Sequence, residues 1–151
     1  ITTRLVGSEM CIRDRLKTKK ICLYVGPCHP LYHEESVDFS ELQELKFVRG
    51  VRDFFSMEHH LETVSMGVID TKNLNHAAYT NSDHLTVNLL LYTDVCSLGL
   101  DFMYEPYSQY DLKALPINGC EPFLQIGYVK DPARILSRQA EWILEKFHQM
   151  L

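Results

Sequence analysis

Histidine and carboxylate side chains that could bind a metal are concentrated between residues 29 and 35. His29, His33 and the pair Glu34–Glu35 stand close together in this segment, and imidazole and carboxylate groups are common metal ligands. No second group of ligands follows at a defined spacing, so the alternative, a solvated loop, is the favoured interpretation. The sequence contains no Gly-rich phosphate loop, no nucleophile elbow and no HExxH helix.

A pair of arginines, Arg134 and Arg138, follows directly after the segment EPFLQIGYVKDP (121–132). Arginine can bind phosphate oxygens bidentately because its guanidinium group is a planar fork. Arg138 also stands three residues before Glu141 on a predicted helix, where an exposed ion pair is the alternative. The type of residue therefore leaves both an anion contact and a surface ion pair open.

The elements that must position these residues follow an α/β pattern. Compact apolar runs bounded by turn residues predict strands at 20–25, 64–69, 100–104 and 121–129. Helices are predicted from Asp38 or Ser40 to Arg49, and over 84–98, 107–115 and 133–151, with a polar loop at 71–82. This order predicts an α/β (α+β) fold with a mixed central sheet flanked by helices.

The predicted helix at 84–98 is apolar nearly all round, which indicates burial on more than one side. One of Asn81, Ser82 and Asp83 is expected to accept hydrogen bonds from its first amides. Gly99 is expected to end it in the left-handed conformation. Such an apolar surface is also consistent with a homodimer.

The composition limits the classes of protein to which this chain can belong. The 151 residues suffice for one domain, and 46% hydrophobic with 23% charged residues is ordinary for a soluble globular protein. No apolar run is long enough to cross a bilayer, so no membrane partner is expected. A net charge of −5 argues against nucleic acid. Five cysteines without CxxC spacing predict a reducing, cytoplasmic setting.

Residues 7–15 read GSEMCIRDR and closely resemble a translated sequencing adapter. On that resemblance, residues 1–15 are expected to be a non-native leader and native sequence to begin near Leu16. The fragment at 16–151 is then the C-terminal part of a larger, N-terminally truncated domain. The alternative is a genuine polar arm.

The second half of the chain resembles the C-terminal part of the nitroreductase-like flavoprotein superfamily. A long core helix of that superfamily ends in Leu-Gly-Leu, and a later strand ends in Gly-Tyr. The matching positions here are Asn88, Leu89, Leu91, Leu98, Gly99 and Leu100 for the helix, with Pro122, Gly127 and Tyr128 for the strand. The resemblance covers roughly residues 64–140.

The resemblance implies an FMN-dependent oxidoreductase in which NAD(P)H reduces the flavin and a small-molecule electron acceptor reoxidises it. Carried over by position, Glu105 and Pro106 would lie beside the flavin ring, and Arg134 or Arg138 would contact its phosphate. The alternative to a flavin contact is that Glu105 and Pro106 simply end a strand. The Arg-x-Ser-x-Arg segment usual at the front of such proteins is missing here, so the fragment is expected to hold an incomplete FMN site.

The sequence also suggests two other functions. His59 and His60 resemble the double histidine of chloramphenicol-type acyltransferases, but Thr63 and Val64 occupy the places of the Asp-Gly that continues that motif. The alternative to a flavoenzyme is a non-catalytic dimerising or ligand-binding domain on the same scaffold. The sequence does not identify the electron acceptor, because substrate choice in such proteins depends on variable loops.

Overall fold

The computed structural model describes residues 12–52, 57–103, 107–131 and 133–150. In chain order the elements are β1 (Ile12–Lys19), β2 (Ile21–Val25), α1 (Phe39–Leu42), β3 (Lys46–Gly50), α2 (Met57–Val64), β4 (Asn75–Thr80), α3 (Asp83–Tyr92), β5 (Val95–Leu100), β6 (Lys113–Pro116), β7 (Leu124–Lys130) and α4 (Arg138–Met150). Short 3-10 turns lie at Pro30–His33, Thr71–Asn73 and Asp101–Met103. The chain divides into two units: a sheet unit, Lys20–Pro122, and a two-stranded unit, residues 12–19 and 123–150.

The sheet unit is built on a five-stranded sheet with the strand order β4-β3-β5-β2-β6. β3 runs parallel to both β4 and β5, whereas β2 runs antiparallel to β5 and β6. The predicted mixed sheet flanked by helices is confirmed. Because β4, β3 and β5 run in the same direction, their carboxyl ends meet at one edge of the sheet.

The core of the sheet unit is centred on β2, whose five residues are all buried. The strand predicted at 20–25 is thereby confirmed. Tyr24 packs with Leu90 of α3 and Val95 of β5 in one hydrophobic cluster, and its hydroxyl donates a hydrogen bond of 2.9 Å to the Leu100 carbonyl. A buried phenol requires such an acceptor, so this contact joins β2 to the end of β5.

The helix predicted at 84–98 is wrong in its second half. α3 ends at Tyr92, Thr93 has an extended backbone, and β5 begins at Val95. The start was predicted correctly, since Ser82 Oγ accepts a hydrogen bond from the Leu85 amide at 3.3 Å. The apolar run hid the boundary because no glycine or proline separates helix from strand. The strand predicted at 100–104 is wrong as well, because β5 lies earlier and a 3-10 turn follows it.

The helix predicted up to Arg49 is a single turn followed by a strand. Asp38 caps α1, and its amide donates to Glu41 Oε2 at 2.7 Å. The chain leaves the helix after Leu42, and residues 46–50 form β3 between β4 and β5. Phe47 and Val48 are both buried in that strand. A short, doubly flanked strand shows no alternation of polar and apolar residues, which explains the wrong prediction.

Three further predictions are corrected. Instead of a strand at 64–69, α2 ends in a tight turn with positive φ angles at Met66 (51°) and Gly67 (84°). The polar stretch at 71–82 contains β4, an edge strand whose small and polar residues resemble a loop. The helix predicted at 107–115 gives way to β6 at Lys113.

In the two-stranded unit, β1 pairs antiparallel with β7, with an irregularity between Arg15 and Lys17. The strand predicted at 121–129 corresponds to β7 and is confirmed. The helix predicted at 133–151 is also confirmed, although α4 begins at Arg138, where the Ser137 hydroxyl accepts from the Ala140 amide at 3.2 Å. Residues 12–15 of the expected leader form part of β1.

Candidate functional site

A cleft of about 640 Å³ opens in the sheet unit where the three parallel strands end. Its lining comes from β3, the end of β4, the first turns of α2 and α3, β5, and the segment that follows β5. The residues are Phe47, Val48, Arg49, Gly50, Val51, Arg52, Met57, Glu58, Thr80, Asn81, Asp83, Thr86, Ser97, Leu98, Met103 and Tyr107. Ligands of open α/β sheets commonly bind at the carboxyl ends of parallel strands, so this is the edge where a site is expected.

One wall of the cleft is a polar turn between β4 and α3. Thr80 is buried, and its Oγ1 accepts a hydrogen bond from the Ser82 amide at 3.0 Å. Thr86 Oγ1 donates to the Ser82 carbonyl at 3.2 Å, which fixes the first turn of α3. This turn presents side-chain hydroxyls and the exposed Asn81 amide to the cleft. Such groups can orient a polar ligand.

A second wall carries a cluster of charged groups on three elements, which we call the Arg49 cluster: Arg49 of β3, Glu58 of α2 and His76 of β4. Arg49 Nε lies 2.9 Å from Glu58 Oε1, and His76 Nε2 lies 3.9 Å from the same oxygen. The Glu58 and His76 side chains are only 13% and 12% exposed, against 32% for Arg49. Burial, and secondarily the charge of Arg49, hold the pKa of His76 below its usual value.

The geometry inside the Arg49 cluster is that of an ion pair more than of a hydrogen bond. Although Arg49 Nε is within 2.9 Å of the carboxylate, its N–H donates no hydrogen bond to any residue that the structure describes. His76 Nδ1 is also buried without a hydrogen-bond partner in the described part of the chain. Buried donors without acceptors are costly, so this cluster is charged and incompletely satisfied.

The third wall is apolar and aromatic. Tyr107 packs edge-on against Tyr24, with ring centroids 5.2 Å apart and an interplanar angle of 87°. Burial, and secondarily the charge of Asp83, raise the pKa of Tyr107. Its phenol therefore stays protonated at neutral pH and can donate a hydrogen bond. Met103 adds a flexible apolar surface beside it.

Of the four site residues predicted from the sequence, the structure describes only Arg134 and Arg138. Glu105 and Pro106 lie outside the described residues. Arg134 is 85% exposed in the two-stranded unit, with its Nε 3.7 Å from Asp131 Oδ2. Arg138 is the exposed first residue of α4. The structure thus places the two arginines on one surface segment, and no contact observed there tests a role in binding.

Sequence reasoning missed the cleft because it placed Arg49 at the end of a helix and β4 in a loop. Recognising Arg49–Gly50 as the end of a buried strand would have directed attention to this edge. Capping of α3 was the one signal available, since it identified the turn at Ser82 correctly. The nearby acidic and basic residues could not be brought together without the strand order.

The described ranges also bear on metal binding and on membrane insertion. There, no group of three or more His, Cys, Asp or Glu side chains could hold a metal ion. His29, from the candidate cluster at 29–35, is buried and its Nδ1 accepts a hydrogen bond from the Leu31 amide at 3.1 Å. Across these same residues, no helix has the length and apolar character needed to cross a membrane.

Comparisons with known proteins place the fold. The chain matches no protein-family model and no curated protein sequence. Among solved structures, the effector-binding domain of QuiR in complex with shikimate aligns with a TM-score of 0.62 at 16% identity, over 95% of this chain and 66% of that one. HinK, a LysR family transcriptional regulator from Pseudomonas aeruginosa, aligns with a TM-score of 0.69 at 10% identity, over 100% of this chain and 51% of that one.

A third structure, the CcmR regulatory domain of Synechocystis in complex with 2-PG, aligns with a TM-score of 0.64 at 13% identity, over 95% of this chain and 69% of that one. These likenesses show that the chain has the fold of the regulatory domains of LysR family regulators. The chain spans between half and about seven tenths of these neighbours.

The resemblance to nitroreductase-like flavoproteins is therefore wrong. Its main motif depended on Leu98, Gly99 and Leu100 ending a long helix, whereas all three lie in β5. Gly127 and Tyr128 lie within β7, paired with β1, and do not end a strand. The prediction of FMN, NAD(P)H and an electron acceptor depended on that family and is therefore also wrong.

Proposed function

We propose that this chain is the effector-binding part of a transcriptional regulator, a non-catalytic domain that binds a small molecule in the cleft of the sheet unit. The observation that carries the proposal is the cleft itself, at the carboxyl ends of β4, β3 and β5 in a chain with the regulatory-domain fold. Its volume of about 640 Å³ falls in the range of small-molecule sites.

The lining of the cleft favours a polar, anionic ligand. Arg49 and Arg52 supply positive charge, although the carboxylates of Glu58 and Asp83 also line the cleft. Hydrogen-bonding groups come from Thr80, Asn81 and Tyr107. The QuiR domain is in complex with shikimate, a hydroxylated carboxylate, and the CcmR domain is in complex with 2-PG. An acid of this size would place its charge at Arg49 and its hydroxyls at the β4–α3 turn.

The remaining features of the proposal concern the whole regulator. We place it in the cytoplasm and as a homodimer. DNA would be contacted by a part of the regulator other than this domain, since the net charge of −5 is unsuited to a phosphate surface. The ligand would act by favouring one arrangement of the regulator over another.

The experiment is a ligand screen against the purified chain. A panel of small hydroxylated acids, including shikimate and 2-PG, is titrated while backbone amide NMR signals are followed, together with thermal unfolding. We expect one or more members to shift signals of Gly50, Thr80 and Asn81 and to raise the melting temperature. Assigned signals that move elsewhere, with the cleft signals constant for every compound, would contradict the proposal.

Matched variants connect the response to the cleft. Arg49→Gln removes the charge at the cleft, and Arg134→Gln removes the same charge from an exposed residue that does not line it. We expect Arg49→Gln to weaken binding of the acid at least tenfold, because a charged partner contributes about 1.5–3 kcal/mol. Arg134→Gln should leave the affinity within about twofold. Equal losses in the two variants would remove the cleft as the binding site.

A further inference from the structure

The Arg49 cluster contains one more ionisable group than an anion-binding arginine needs. Glu58 already neutralises Arg49 at 2.9 Å, and His76 Nε2 lies 3.9 Å from the same carboxylate oxygen. Each residue comes from a different element of the sheet unit, so the grouping depends on the tertiary fold. It stands at the wall of the cleft, because Arg49 and Glu58 both line it.

Charge balance decides what happens when an anion enters. Without a ligand, the charges of Arg49 and Glu58 sum to zero, and burial favours the neutral form of His76. A ligand carboxylate at Arg49 would leave one uncompensated negative charge among side chains that are only 12–32% exposed. Buried charges without partners are strongly disfavoured. Arg52 also lines the cleft but is exposed, so within the Arg49 cluster the compensating charge is a proton on His76.

The surroundings of His76 identify it as the group that can respond. The charged and titratable groups recorded against it in the described chain are Glu58 from α2, Arg49 from β3 and Tyr79 from its own strand, whose ring centroid is 5.5 Å away. The Phe47 ring, at 6.4 Å, completes the contacts with β3. Of these groups, only the Glu58 carboxylate favours the protonated imidazole. Without a ligand, the charge of Arg49 opposes protonation. A bound anion would screen Arg49 and reverse that balance.

We infer that an anionic ligand binds to Arg49 in competition with Glu58, and that its binding is coupled to the uptake of one proton by His76. The inference rests on the proposed function and adds to it a competition between the acid and Glu58 and a pH dependence. Linkage requires that the effect be reciprocal: an anion that raises the pKa of His76 must bind more tightly when His76 is protonated. Each unit by which the pKa rises corresponds to a tenfold gain in affinity between high and low pH.

The test follows the imidazole signals of His76 through a pH titration, with the signals identified in His76→Asn. The probes are inorganic sulfate and shikimate, with methyl shikimate as the uncharged counterpart, all at fixed ionic strength. We expect a saturating anion to raise the pKa of His76 by about one unit and to bind about tenfold more tightly at pH 5.5 than at pH 8. Methyl shikimate should do neither.

Two variants separate the roles. Arg49→Gln should abolish the anion-dependent change at His76. Glu58→Gln should strengthen anion binding at pH 8, because the competing carboxylate is gone, and should reduce the pH dependence to less than about threefold. Anion binding at the cleft amides with an unchanged pKa of His76 would overturn the inference. Weaker anion binding by Glu58→Gln than by the wild type would also overturn the inference.

The outcomes also distinguish this inference from the proposed function. Cleft amides that respond to the uncharged ester and to neither anion would overturn the inference while leaving a small-molecule site in place. Cleft amides that respond to no compound, charged or neutral, in the wild type or in Glu58→Gln, would overturn both.

Discussion

The Tyr24 ring lies directly against Gly99 across the β2–β5 pair. A Cβ atom added to Gly99 would stand 2.5 Å from Tyr24 Cε2 and 2.8 Å from Cδ2. The ring cannot move aside easily, because Tyr24 is buried, its hydroxyl donates to Leu100 and Tyr107 packs on it. Position 99 therefore requires glycine, because the Tyr24 ring approaches the backbone of β5 too closely for a Cβ atom.

Gly99→Ala should destabilise the sheet unit by about 1–3 kcal/mol, the usual cost of overpacking a buried site. Urea unfolding followed by tyrosine circular dichroism reports mainly on this unit, since seven of the eight tyrosines lie in it, whereas the single Trp142 lies in the two-stranded unit. Gly50→Ala is the control, because its Cβ would come no closer than 3.4 Å to a neighbouring atom. Equal stability of the two variants would contradict the packing described for Tyr24.

Gly26→Ala should be more damaging than Gly99→Ala. Its Cβ would stand 1.9 Å from the Leu90 carbonyl oxygen and 2.6 Å from the carbonyl carbon. Both atoms belong to the backbone of α3, so relief requires the helix to shift away from the end of β2, not a side chain to rotate. We expect a loss of about 3 kcal/mol or more, measured by the same urea titration. A milder effect than that of Gly99→Ala would show that α3 is not held against Gly26.

The fold class was predictable, and the reasons are local. β2 is a buried apolar run with turn residues on one side, and α4 is a clear amphipathic stripe, so each could be recognised from its own residues. The boundary between α3 and β5 could not, because Tyr92, Thr93 and Asp94 interrupt the apolar run without a glycine or proline. β5 is a strand because it pairs with β2 and β3, which is a tertiary fact.

The cleft could not be predicted from the sequence for the same reason. Arg49, Glu58 and His76 are spread over 28 positions of the chain, and only the parallel pairing of β3 and β4 brings the first and last together. Once Leu98–Leu100 had been placed at a helix end, the family resemblance directed the search to Arg134 and Arg138 instead. The wrong assignment of one boundary thus determined the wrong site.

The cysteines should differ sharply in reactivity. Burial raises the pKa of Cys22 to about 12 and also raises the pKa of Cys96 and Cys120, whereas Cys28 is exposed. The thiolate is the reactive form, so iodoacetamide at pH 8 should modify Cys28 in the folded chain and leave these other three largely unmodified. Peptide mapping by mass spectrometry follows the labelling of each cysteine, and unfolding in urea should make the extent of labelling equal at the four sites. Rapid labelling of Cys96 without denaturant would contradict its buried place in β5.

Stability should fall in mild acid because of His29. Burial lowers the pKa of this imidazole, and the Asp94 charge offsets the effect only in part. The folded protein therefore binds fewer protons than the unfolded chain, so this contribution is complete above the unfolded pKa of about 6.5 and is lost as pH falls through the lower folded value. Protonation would also remove the Nδ1 acceptor used by the Leu31 amide.

His29→Asn tests this assignment, because an asparagine oxygen can still accept from the Leu31 amide but cannot titrate. Urea unfolding at pH 7.5 and pH 5.5 should show a smaller acid-induced loss of stability in His29→Asn than in the wild type, with similar stability at pH 7.5. His33→Asn is the control, since His33 is exposed two positions beyond Leu31 and should leave the pH dependence unchanged. If His29→Asn loses as much stability in acid as the wild type, the titrating group lies elsewhere. His60 and His76, which are partly buried and whose pKa values are also lowered by burial, are then the next residues to replace.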